Sequence, residues 1–61
     1  MNMTRAKFTT FSFDRAAREQ VLHAVTTEWP EGAPVDVLQL VRSLSLLYPR
    51  AAGVRVDFLL D

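Results

Sequence analysis

Residues 14–29 read DRAAREQVLHAVTTEW, and the period assigned to them decides what the chain can build. Ala17, Val21, Ala24, Val25 and Trp29 recur at steps of three and four, with Leu22 widening the stripe. That is the spacing of one apolar helix face. Asp14 stands where an N-cap belongs: its carboxylate can accept from an unpaired N–H of the first turn, and its charge suits that end of a helix. Asp14 and Arg18, acid first at i,i+4, add roughly a few tenths of a kcal/mol. Pro30 follows Trp29 directly and marks a boundary. The spacing therefore predicts a helix over 14–29.

Working outward, residues 7–13 read KFTTFSF, rich in β-favouring types, and predict a strand in which Thr9, Phe11 and Phe13 share a face. Phe8 breaks that alternation. It either lies on the opposite face with Thr10 and Ser12, or a bulge at Thr9 and Thr10 brings it round. Residues 1–6 read as a flexible N-terminus. On the other side, WPEGAPVD is a linker punctuated by Pro30, Gly32 and Pro34. Pro34 suits the first position of a second helix, and Asp36 supplies the negative charge favoured there. That helix, 35–48, is apolar on nearly every side: Val35, Val37, Leu38, Leu40, Val41, Leu44, Leu46, Leu47 and Tyr48, with Arg42 the one charge after Asp36. A one-sided surface helix buries a narrower stripe, so this one calls for cover on two sides. Val54, Val56, Phe58 and Leu60 then alternate with Arg55, Asp57 and Leu59, a half-buried strand over 54–60.

The expected class is α+β, a β-α-α-β domain whose helix hairpin packs on a two-stranded antiparallel ribbon. A lone ribbon is marginal in water. Its free edges invite a second copy, which would complete a four-stranded sheet across a two-fold axis. Size points the same way. A single domain of 61 residues buries only about 60% of the surface its unfolded chain exposes, and ordering costs about 1.5 kcal/mol per residue. With no cysteine, disulfides and thiolate metal sites are excluded, and oligomerisation is the remaining reinforcement. The same composition fits a reducing compartment. Met1–Lys7 has no apolar stretch behind its two basic residues and does not read as a secretory signal, so a cytoplasmic location is expected. The run Val37–Tyr48 is too short to span a bilayer.

Catalytic signatures are missing. His23 and Glu19 would sit one helical turn apart as half a metal site, but a stable zinc site needs three or four ligands and EQVLH is not HExxH. Ser43 and Ser45 lie inside a helix rather than at a nucleophile elbow. Gly32 and Gly53, the two glycines, form no phosphate-cradling loop. No cofactor, metal or enzymatic activity is expected.

Function is therefore sought at the surface. Phe8, Trp29 and Tyr48 are aromatic residues at element ends or off pattern, and with Leu59 they are the expected anchors for a protein partner. Zero formal charge and surplus apolar content fit a non-enzymatic regulator or inhibitor that docks on another protein as a homodimer. Small phage- or plasmid-encoded accessory proteins share that size and style. A second reading rests on element order. The strand, helix, turn and helix of Phe8 to Tyr48, with FSFD leading into the first helix and PVDVLQLV opening the second, resemble the ribbon-helix-helix family. The resemblance implies a dimeric DNA-binding regulator whose paired strands enter the major groove. Thr10 and Ser12 would then face bases. Arg5, Lys7, Arg15 and Arg18, which outnumber Asp14 in the first eighteen residues, would face phosphates. The strand over 54–60 has no counterpart in that motif.

Overall fold

The computed structural model describes residues 2–59. Four elements follow one another: strand β1 (Met3–Phe13), strand β2 (Glu19–Pro30), helix α1 (Val37–Leu47) and strand β3 (Gly53–Leu59). The strands form one antiparallel sheet in the order β2-β1-β3. Both outer strands run opposite to β1, and α1 carries the chain from one to the other, so β2-α1-β3 is a split β-α-β unit with β1 between its strands. The class is α+β, and the antiparallel pairing of the first and last strands is as expected. The β-α-α-β layout is not. Residues 14–29 form a turn and a strand, leaving one helix and a third strand. The order behind the ribbon-helix-helix likeness is thus absent from the described residues. Met3–Ala6 lie in β1 rather than in a loose terminus, while Met1 and Leu60 lie outside the described residues.

Asp14 explains the difference. Its Oδ1 accepts from the N–H of Ala16 at 2.8 Å and of Arg18 at 2.9 Å, and Arg18 Nε donates to Oδ2 at 3.1 Å. The Asp14 N–H donates to Arg18 O at 2.9 Å, and the Ala17 N–H donates to Asp14 O at 3.0 Å. Ala17 holds φ at 61°. This is a three-residue hairpin connection ending in a left-handed residue. A carboxylate that accepts from N–H groups just downstream serves a tight turn as well as a helix start, so the sequence signal was real and its context different. Beyond the turn, the β-branched Val21, Val25, Thr26 and Thr27 suit a strand. The register passes from Thr10↔His23 to Phe11↔Val21, leaving Leu22 as the extra residue of a bulge. That bulge erases the alternation by which β2 would have been recognised.

Cross-strand pairing sorts the side chains onto two faces. Ala6, Phe8 and Thr10 share the helix side with His23, Val25, Val54, Val56 and Phe58. Phe8 therefore faces away from Phe11 and Phe13, and the bulge lies in β2 rather than at Thr9 and Thr10. Helix α1 starts at its N-cap Asp36, whose Oδ1 accepts from the Gln39 N–H at 3.1 Å, so Asp36 caps the helix that Pro34 was expected to open. Its half-buried residues Val37, Leu40, Val41, Leu44 and Tyr48 fall at i, i+3, i+4, i+7 and i+11, a single stripe. The helix packs on β1 and β3, and its C-cap Tyr48 reaches β2 by stacking on His23. Width is the reason: a helix with its side chains is about 10–12 Å across, enough to lie over about two strands spaced about 4.8 Å apart. Among the described residues the fully buried apolar core comes down to Ala6 and Phe8.

Candidate interaction surfaces

Three surfaces are left open. The first is the sheet face turned away from α1. Gly53 stands opposite Phe11, and the absent side chain lets the Phe11 ring approach to 3.2 Å from where a Cβ would sit. Arg55 reaches over that ring, its guanidinium 5.4 Å from the centroid. It meets Glu19 in a fork of two bonds, Nη1 to Oε1 at 2.8 Å and Nη2 to Oε2 at 3.1 Å. The strap ties β3 to β2 across β1. The Arg55 hydrogen bond holds the Glu19 carboxyl below its ordinary value, and the same bond raises Arg55. Asp57 lies 3.6 Å from Arg55 Nε, and Arg5 Nε lies 3.7 Å from Glu28. Five charges on this face, Arg5, Glu19, Glu28, Arg55 and Asp57, are thus engaged with one another, while Lys7 is exposed beside them. Phe13 meets Phe11 edge-on at 5.7 Å and, like Val21, remains well exposed.

The second surface is the outer side of α1. Leu46 and Leu47 are 82% and 71% exposed, and Leu38 is also largely open. A shallow depression lined by Asp36, Leu38, Gln39, Arg42, Ser43 and Leu46 runs along it. Ser43 and Ser45 donate their hydroxyls to Gln39 O and Val41 O within the helix. The third surface is strand β2, whose outer backbone edge pairs with no strand among the described residues, and whose Val25 is exposed while His23, Thr27 and Trp29 are half-buried.

The expected anchors divide. Phe8 is 1% exposed, because it points under the helix, and it cannot touch a partner. Trp29 and Tyr48 are half-buried, the latter stacked on His23 with ring centroids 5.5 Å apart. Leu59 is exposed at the end of β3. His23 and Glu19 lie on opposite faces of β2, so they form no half-site, and no group of metal-ligating side chains occurs among the described residues. The residues expected to face nucleic acid do not converge. Thr10 is fully buried and Ser12 half-buried. Arg15 and Arg18 sit at the hairpin turn, with Arg18 paired to Asp14, about 27 Å along β1 from Arg5. Lys7 is exposed between these ends. Phe13, Val21, Leu46 and Leu47 were not singled out as anchors. The excess apolar content of 35–48 was the legible sign for the two leucines, whereas the signal for Val21 was hidden by the helical spacing.

Fold and surfaces together define a small α+β split β-α-β domain that exposes more apolar surface than its core uses. No protein-family model, curated protein or solved structure matches the chain. No described helix is long and apolar enough to cross a membrane.

Proposed function

We propose that this chain is a small, cytoplasmic, non-enzymatic binding protein, a regulator or inhibitor that docks on a partner protein and acts as a homodimer. The observation that carries the reading is the exposure of three leucines around α1, Leu38, Leu46 and Leu47, of which Leu38 and Leu46 border one depression. Large apolar side chains left exposed outside the buried stripe of an amphipathic helix mark interaction sites. Arg5, Glu19, Glu28, Arg55 and Asp57 on the open sheet face are matched within the chain, which favours a largely apolar contact over an electrostatic one.

The test immobilises the protein and its Leu46→Asp/Leu47→Asp variant, exposes both to source-cell lysate with and without nuclease, and analyses protein and nucleic acid eluted at rising salt. The expected result is a defined protein partner that resists nuclease and moderate salt and is lost with the double variant. Recovery of DNA that falls away steeply with salt would overturn the reading in favour of nucleic-acid binding through Lys7, Arg15 and Arg18.

A further inference from the structure

We infer that the free edge of β2 is where a second copy of this chain attaches, β2 pairing antiparallel with β2 across a two-fold axis to give a six-stranded sheet. This rests on the homodimer in the proposed function and assigns its interface.

The two edges of the sheet are built differently. On one side β3 is short, Gly53–Leu59, and carries Arg55 and Asp57. Brevity and charge are the usual protection of an edge that stays in water. On the other side β2 runs twelve residues. From Gln20 to Thr27 it contains no Asp, Glu, Lys, Arg or Pro, and beyond the bulge at Leu22 the regular stretch His23–Thr27 lacks edge protection and is rich in strand-forming types. An edge of this composition pairs with another strand unless something covers it. Nothing among the described residues does, since α1 lies over β1 and β3. The acids that flank the segment are turned inward: Glu19 grips Arg55, and Glu28 faces Arg5.

Area gives the scale of the missing contact. A compact monomer of 6.9 kDa exposes about 4,000 Å², whereas this chain exposes 4798 Å². The surplus of about 800 Å² is what one partner contributes to an interface of standard size. A formal net charge of zero sets up no repulsion between copies.

Faces and charges choose the register. Between the bulge at Leu22 and Glu28 lies the uncharged, regular segment His23–Thr27, and Val25 is its midpoint. With the axis at Val25, Val25 meets Val25 and His23 meets Thr27 on the helix side, while Ala24 meets Thr26 on the other. Every pair then lies on matching faces. An axis between His23 and Ala24 would oppose side chains from different faces and set Glu19 against Glu28, a like-charge pair. Val25 is 39% exposed in the single copy, and the pairing would cover it.

Sedimentation equilibrium over a wide concentration range, joined to amide exchange, tests the interface. The expected result is a dimer with twice the single-chain mass. Exchange in His23–Thr27 should slow as concentration rises, with no such change in β3. Val25→Lys, which opposes two like charges across the axis, should weaken the dimer at least tenfold with the circular dichroism spectrum retained. Phe58→Lys, on the other edge, should not. A monomer at every concentration, concentration-independent exchange in β2, or a dimer that survives Val25→Lys and dissociates with Leu46→Lys would overturn the inference. If Val25→Lys fails to fold, exchange in the unaltered chain decides. A monomer that still captures a protein through Leu46 and Leu47 would sink the strand pairing alone. A β2 dimer that captures no protein would sink the docking reading alone.

Discussion

Ala17 holds a left-handed φ of 61°, a conformation that sets its Cβ against the following carbonyl and costs about 1–2 kcal/mol in a residue other than glycine. Ala17→Gly should therefore raise stability by about 0.5–1 kcal/mol, net of the extra freedom glycine has when unfolded, as read from the urea midpoint at unchanged slope. Thr10 is a second site where the residue and its surroundings disagree. Its hydroxyl is buried with no partner among the described residues, and an unmade bond to a buried polar group costs about 1–3 kcal/mol. Thr10→Val keeps the shape and removes that group, so the thermal midpoint should rise. A lower midpoint would show that the hydroxyl is bonded in solution. Neither position could be found from the sequence, because Ala and Thr are ordinary residues for a helix and a strand respectively. Asp14 was legible as a cap, but the hydrogen bonds it makes are common to two kinds of chain reversal.

Among the elements, α1 and β3 could be read from their patterns because each has one covered face and one open face, and β1 over residues 7–13 from its β-favouring residue types, since as the central strand it buries Phe8 and Thr10 on one face and Thr9 on the other. β2 could not. With no helix above it and a bulge at Leu22, neither side is consistently apolar, and the steps of three and four from Ala17 to Trp29 were the strongest regularity left. The strap between Arg55 and Glu19 joins β2 to β3, and it makes the sheet sensitive to acid. Glu19 sits below its ordinary value of 4.5 through the Arg55 hydrogen bond. A carboxyl depressed on folding adds stability that is fully present above the unfolded value and is lost as pH falls through the lower, folded one. Thermal midpoints of the unaltered chain should accordingly drop on acidification below the carboxylate range. Glu19→Gln should begin lower at neutral pH and show a shallower acid loss. Equal acid loss in both would show that the fork is not held in solution.

For the molecule as a whole, stability rests on very few residues. Ala6 and Phe8 are the buried apolar side chains of the core, and removing a buried phenylalanine ring costs about 3–5 kcal/mol, a large share of what a domain this small possesses. Phe8→Ala should leave the chain unfolded at room temperature by circular dichroism, while Leu46→Ala should shift the midpoint by less than about 0.5 kcal/mol equivalent. The reversed ranking would place the core elsewhere. The insufficiency of this core was legible from length and composition, and the surplus on α1 from its leucines. Which sheet face and which edge stayed bare was not, since that depends on how far one helix reaches over three strands.

The register that sets Arg5 opposite Leu59 and Phe11 opposite Gly53 has a mechanical consequence. Tension applied at residues 5 and 59 bears on the first rung of the β1–β3 ladder and opens it one hydrogen bond after another, like a zipper. The same sheet gripped at residues 13 and 59 would be loaded in shear, with many rungs resisting together. A molecule of this design is soft along one pulling direction and stiff along the other.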